Sequence, residues 1–254
     1  MRSLNALAVS LTMFAMPLAA TPAIAAPTTI AAAVAASDRN PDNIKLDEGR
    51  KPAQVLAFLG LKPGMNVLDL VGANAYWAEI TSPVVGPKGH VTVWEPTQFY
   101  NDKNKASFEA FAAKHPNVSI TVSPLETPDL PKNYADFVIL NENYHDLYVD
   151  FSKRGIPQIE PRQWLKALYA SVKPGGVVGL IDHAANPGDT RATANALHRI
   201  DPNTAKADFQ SAGFVFVKSS DVLRNPADDR TLKVFDPKVR GKTDRFVFLF
   251  KKPR

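Results

Sequence analysis

Residues 67–77 read Val67-Leu68-Asp69-Leu70-Val71-Gly72-Ala73-Asn74-Ala75-Tyr76-Trp77, and this stretch decides the fold. A short hydrophobic strand runs straight into a turn of small residues, and a helix opens at Tyr76. A strand that turns at once into a helix is the first unit of an open α/β sheet. Its loop and helix N-terminus are a natural place to hold a cofactor. Loops of this kind usually carry three glycines; here Gly72 is the only one. Gly72, Ala73 and Ala75 are small enough for a ligand to approach the backbone, and Asn74 tolerates a left-handed conformation better than alanine does. The same residues would equally make an ordinary tight strand–helix turn.

The unit repeats along the chain. A helix is expected over 51–59, with Pro52 in its first turn, Val55, Leu56, Phe58 and Leu59 on one face and Gly60 at its stop. Strands are expected at 66–70, 90–94, 118–122, 134–140 and 177–181, with helices at 76–80, 105–114 and 161–172 between them. The strand at 134–140 is almost continuously apolar, as expected for one buried on both faces. A polar helical stretch around Leu197 and a helix at 204–212 lead to two last strands, 214–218 and 245–250. No convincing helix separates those two. The pattern predicts a doubly wound α/β fold: a seven-stranded, mostly parallel sheet that closes in an antiparallel C-terminal hairpin.

The 254-residue chain has length for one large domain or two small ones, and no cysteine. Disulfides, cysteine-ligated metals and a cysteine nucleophile are thereby excluded. Met1-Arg2-Ser3, an apolar run from Leu4 to Ala20 and the small-x-small pattern Ala23-Ile24-Ala25 read as a secretory signal peptide over residues 1–25. An uncleaved anchor is the competing reading, but the apolar run is short for a membrane span. The expectation is an exported protein, periplasmic or secreted, with no stable membrane span once the signal is removed. Residues 26–43, mostly Ala, Thr, Pro and Ser, read as a flexible tether, which leaves 44–254 as the folded domain. Loss of Arg2 with the signal lowers the formal net charge from +5 to +4. With no basic block and no aromatic–basic interleaving, nucleic acid is not an expected partner.

Open α/β sheets bind ligands beyond the carboxyl ends of their strands, and the polar residues at those ends are the candidates. Asp69 and the loop Gly72-Ala73-Asn74 follow the first strand. Glu95 follows the second, where an acid can accept bonds from ribose hydroxyls. The fourth is followed by Asn141-Glu142-Asn143-Tyr144-His145-Asp146, the densest polar cluster in the chain. His145 suits a general base, with Asp146 or Glu142 to orient it. Asp182-His183 follows the fifth strand, and His198-Arg199 lies a little beyond. Three histidines and several carboxylates facing one cleft could suit a metal. The linear spacing matches no known ligand motif, so no metal ligands are assigned. The polar connection 219–243 is of a length that is usually functional or disordered; a lid over the cleft and a plain surface excursion are equally open readings.

The order of elements resembles the class I S-adenosylmethionine-dependent methyltransferases, a Rossmann-like fold. Asp69-Leu70-Val71-Gly72-Ala73-Asn74-Ala75 stands where that family has its acidic, glycine-rich loop, and Glu95 where it has its ribose-binding acid. More narrowly, the chain looks like a group of exported predicted methyltransferases. That likeness rests on Arg50-Lys51-Pro52, Leu61-Lys62-Pro63-Gly64-Met65, Asn143-Tyr144-His145-Asp146, Asp182-His183, His198-Arg199-Ile200-Asp201 and Leu223-Arg224-Asn225-Pro226. The chain departs from the broad family at Val71, Ala73 and Ala75, the positions of the family's glycines. The resemblance implies S-adenosylmethionine as cofactor, held by Asp69, Gly72, Ala73, Asn74 and Glu95, and methyl transfer to a small-molecule acceptor. His145 would then be the base, Asp146 its orienting group, and His183 or His198 the lining of the acceptor side. The departures leave a second reading open, a methyltransferase fold that has lost catalysis and binds a ligand or partner in the cell envelope. A metal-dependent enzyme built on His145, His183 and His198 is the third.

Overall fold

The computed structural model describes residues 27–254; the expected signal peptide lies outside them. Seven strands form one sheet in the order β3-β2-β1-β4-β5-β7-β6: β1 (Asn66–Leu70), β2 (His90–Pro96), β3 (Val118–Ser123), β4 (Ala135–Asn141), β5 (Val172–His183), β6 (Val215–Ser220) and β7 (Arg245–Lys251). The first five are mutually parallel. β7 inserts antiparallel between β5 and β6. The fold is therefore the mostly parallel, doubly wound sheet with an antiparallel C-terminal pair that the strand pattern predicts. The strand order reverses between β1 and β4, and that switch point is where a ligand crevice opens in such sheets.

Nine α-helices are described: α1 (Ile30–Val34), α2 (Pro41–Ile44), α3 (Asp47–Arg50), α4 (Pro52–Leu59), α5 (Tyr76–Val85), α6 (Asp102–Lys114), α7 (Pro161–Ser171), α8 (Thr190–Leu197) and α9 (Pro202–Ser211). They complete two apolar clusters, one on each face of the sheet. Leu68, Leu70, Val138 and Leu140 point into the cluster with α7 and α9. Val67, Phe137 and Ile139 point into the cluster with α4 and α5. Alternation along β1 and β4 thus feeds both cores, which is why these strands read as continuously apolar. No helix of the described residues is long and apolar enough to cross a membrane.

Three differences from the sequence reading have physical causes. Helix α5 runs to Val85, past Pro83. The proline forfeits one internal hydrogen bond, and the stop comes at Gly86, with φ of 66°. Strand β5 begins at Val172, not at Val177. Its pairing with β4 jumps from Ala135↔Val172 to Phe137↔Val177, so the Lys173-Pro174-Gly175-Gly176 turn is a bulge inside the strand. Residues 27–43, expected to be a flexible tether, carry α1 and α2 and pack on α5. Thr28 N–H donates to the Pro83 carbonyl at 3.0 Å. Buried Arg39 pairs with Asp47 at 2.6 Å and Glu79 at 3.3 Å, and buried Asn43 donates to Glu79 and to the Asn74 carbonyl. The anchors are single polar side chains, which a composition of small residues does not advertise.

The connection beyond β6 has neither helix nor strand through Asp244, yet it is fastened at several points. Arg199 and Asp228 form a buried pair at 2.8 Å. Asp244 accepts from Arg224 at 2.6 Å and lies 2.9 Å from Arg230. Leu223 and Val234 are buried. A segment held in this way is a structured excursion. It touches the cleft through Phe235, whose ring centre lies 5.0 Å from that of His198.

Candidate functional site

The loop after β1 keeps the backbone of a glycine-rich turn without the glycines. Val71, Asn74 and Ala75 have φ of 54°, 56° and 55°. A left-handed conformation costs an L-residue roughly 1–2 kcal/mol, and a β-branched residue such as Val71 is the least suited to it. The one glycine sits elsewhere. A Cβ on Gly72 would lie 2.4 Å from Val93 Cγ1 and 3.2 Å from a carboxylate oxygen of Asp69, so Gly72 is required by close packing of the loop on β1 and β2. Val71 N–H donates to the Trp94 carbonyl at 2.8 Å, and Gly72 N–H to the Glu95 carboxylate. The loop is thus bound to the end of β2.

Glu95 is buried, and its Oε2 has no hydrogen-bond partner. Burial pushes its carboxyl up to about 7, against the opposing Gly72 bond. Asp69 is also buried and accepts from Ala78 N–H at 3.2 Å, so it ties β1 to α5. Burial and then the charge of Glu95 push it up to about 8, opposed by the Ala78 bond and Arg50. Asn74 is exposed, and its carbonyl accepts from Asn43; Ala73 lies in the short 3-10 turn between Gly72 and α5. Of the expected cofactor residues, the fold therefore joins Glu95 and Gly72 directly, and gives Asp69 a bond to the helix backbone.

The second group lies beyond β4 and β5. His145 is in a 3-10 turn over Tyr144–Tyr148, and its Nδ1 is 2.7 Å from Asp182 Oδ1. Asp182, fully buried at the end of β5, also accepts the backbone N–H groups of His145 at 2.8 Å and His183 at 2.7 Å. The carboxylate on His145 Nδ1 is therefore Asp182, where the sequence had suggested Asp146 or Glu142. Asp146 faces the other edge of the ring, its Oδ1 3.4 Å from His145 Nε2 and 3.7 Å from His198 Nδ1. Burial alone would lower the His145 pKa, but Asp182 and Asp146 outweigh it and raise it to about 9. His198 caps α8 with a left-handed backbone, φ 53° and ψ 50°, which turns its ring toward His145, 5.4 Å between centres. His183 lies beside His145, 5.8 Å between ring centres, but brings no ring nitrogen to the point shared by His145, Asp146 and His198. Its Nδ1 is 2.7 Å from Thr243 Oγ1, and burial lowers its pKa to about 4.

Sequence reasoning missed the pairings that span the two groups. Glu142, with φ of 59°, pairs with Arg245 at 2.6 Å and Arg50 at 3.5 Å. Arg50 lies 4.3 Å over the Tyr76 ring, and Tyr76 donates to Asp47 at 2.7 Å. The α3 segment is thereby bound to both the first helix turn after the loop and the end of β4. Glu142 and Arg50 were visible in the motifs, but their pairing is long-range. A cavity of about 460 Å³ lies off these strand ends, between the α1–α2 segment, α5 and α6, and reaches the loop at Asn74.

No family model matches the chain. The demethylmenaquinone methyltransferase of Listeria welshimeri is 28% identical over 131 residues, 51% of this chain. The match spans about half the relative's length, 49%. A solved S-adenosylmethionine-dependent methyltransferase from Aquifex aeolicus superposes with a TM-score of 0.56 at 21% identity, over 84% of this chain and 93% of the other. The fold is that of the S-adenosylmethionine-dependent methyltransferases. The same architecture also serves other chemistry. The cyclase SpnF superposes with a TM-score of 0.60 at 15% identity, over 91% of this chain and 98% of its own. Activity therefore has to be argued from the residues at the strand ends.

Proposed function

We propose that this protein transfers a methyl group from S-adenosylmethionine to a small-molecule acceptor. The observation that carries the reading is Glu95 Oε2, a buried carboxylate oxygen without a partner, at the end of β2 and bound to the loop at the switch point. A buried acceptor left unpaired costs about 1–3 kcal/mol, and paired ribose hydroxyls are donors suited to relieve it. The left-handed residues of the loop support the same reading, because strained backbone persists where surrounding structure holds it for a purpose.

When bound, the cofactor supplies an electrophilic methyl on a sulfonium. The chain's own residues position and hold. Glu95 takes the ribose hydroxyls, the 71–75 backbone packs against the rest of the cofactor, and Asp69 fixes α5 relative to β1. The acceptor lies on the far side of the switch point against His145, Asp146 and His198, the groups through which its proton leaves. Alignment of two reactants in this way supplies much of the rate in a direct transfer. The comparison with demethylmenaquinone methyltransferase makes a quinone-type compound a reasonable first acceptor to assay.

Calorimetric titration with S-adenosylmethionine and S-adenosylhomocysteine tests the reading. Micromolar binding is expected, weakened at least about tenfold in Glu95→Ala, the effect of losing about 1.4 kcal/mol of hydrogen bonding. Absence of binding to either ligand by folded protein would overturn it. So would a Glu95→Ala variant that binds as well as the parent.

A further inference from the structure

Beyond β4, three side chains from two separate segments bring one ligand atom each to a common point. His145 offers Nε2, Asp146 Oδ1 and His198 Nδ1, all within 4.8 Å of one another. The Nε2–Oδ1 and Nδ1–Oδ1 separations are 3.4 Å and 3.7 Å. A tetrahedral cation with bonds of about 2.0–2.1 Å keeps its ligands about 3.3–3.4 Å apart, so the carboxylate is already near the right distance from each ring. Modest side-chain rotation brings the two rings together.

A second observation is independent of that spacing. Metal-bound histidines characteristically donate their other ring N–H to a carboxylate, which fixes the tautomer and aims the free nitrogen. Asp182 does this for His145 at 2.7 Å, and is itself held by two backbone N–H groups. Two carboxylates thus face one buried ring from opposite edges, a field that favours positive charge at Nε2. His198, for its part, is held in a left-handed conformation that would be cheaper for glycine or asparagine.

We propose that His145, Asp146 and His198 bind one divalent first-row transition cation, with Asp182 as the positioning residue. Two imidazoles and one carboxylate suit zinc, iron(II) or manganese(II). Asp146 and His198 remain partly exposed, which leaves a coordination position open to an oxygen of a bound molecule. On the methyl-transfer reading that oxygen belongs to the acceptor, and the bound cation, in place of a free His145, would then favour loss of its proton. This last step rests on that reading; the cation site does not. Linear spacing could not show the site, because β4 and α8 meet only in the fold.

The test uses the metal alone. Tag-free protein is stripped with chelator and titrated with zinc(II) by calorimetry and with cobalt(II) by visible absorption. One equivalent is expected at micromolar Kd or tighter, with the intense d–d bands of four- or five-coordinate cobalt. His198→Ala and Asp146→Asn should each weaken binding by about 100-fold, and Asp182→Asn by about 10–100-fold with a shifted cobalt spectrum. His115→Ala, remote from the cluster, should change nothing. Lack of saturable binding by the parent protein would overturn the proposal, whatever the folding of the variants. Several weak equivalents, or one equivalent unaffected by His198→Ala and Asp146→Asn, would overturn it equally. Because no cofactor is present, failure here leaves the S-adenosylmethionine result standing, and the reverse also holds.

Discussion

In the loop after β1 the unusual feature is backbone: Val71, Asn74 and Ala75 are left-handed, and one carboxylate oxygen nearby has no partner. In the cluster after β4 the unusual feature is side chains: His145 meets a carboxylate at each ring nitrogen, and Asp182 accepts three hydrogen bonds. The first site is shaped by conformation, which Val71, Asn74 and Ala75 adopt without glycine. The second is shaped by specific partners and tolerates almost no change of side chain. A strained loop can be relieved by substitution, whereas a buried ionic network can only be broken by it.

Asp182→Ala should therefore give the largest effect. It leaves a buried imidazole and two backbone N–H groups without their acceptor, and removing one partner of a buried ion pair costs about 3–5 kcal/mol. Chemical denaturation should show a loss in that range. A loss below about 1 kcal/mol would mean that water replaces the carboxylate and that the network is not the rigid element described here.

The loop should respond with opposite signs at neighbouring positions. Ala75→Gly removes a left-handed alanine and should stabilise by about 1 kcal/mol, the usual glycine preference offset by greater freedom of the unfolded chain. Gly72→Ala should destabilise by about 1–3 kcal/mol, the cost of overpacking, because its Cβ meets Val93 at 2.4 Å. Thermal melts of the two variants check this directly. Equal signs would mean that the loop relaxes freely, and the contrast between backbone-shaped and partner-shaped sites would fail.

These two regions also differ in how far they could be read in advance. All seven strands and the antiparallel ending were legible, because apolar runs bounded by Gly and Pro carry a local signal. The observed bounds of β1, Asn66–Leu70, match the expected 66–70. Glu95 and Gly72 were legible as candidates from their order along the chain. That Gly72 serves packing, and that positive φ falls on Val71 and Ala75, was not, since both facts depend on where Val93 and Trp94 lie. Asp182 read as the end of a strand; only its burial and three accepted bonds reveal its part. Arg39 and Asn43 were missed for the same reason: a single buried polar anchor leaves no periodicity behind.

The smallest predicted effect concerns protons at the cofactor corner. Burial holds Glu95 at about 7 and Asp69 at about 8, both above their ordinary values. In the unfolded chain both ionise near pH 4. Between about pH 4 and pH 8 the folded state retains protons that the unfolded state has lost, so these groups make stability fall as pH rises through that window. Ribose hydroxyls bonded to Glu95 Oε2 would favour its charged form and lower its pKa. Binding of S-adenosylhomocysteine at pH 6.5 should then release a fraction of a proton. The apparent binding enthalpy should differ between buffers of high and low ionisation enthalpy, and the difference should vanish in Glu95→Gln. A buffer-independent enthalpy in the parent protein would mean that the ligand does not reach Glu95, even if it binds. The fixed geometry of the loop would then serve a different part of the cofactor from the one assigned to it.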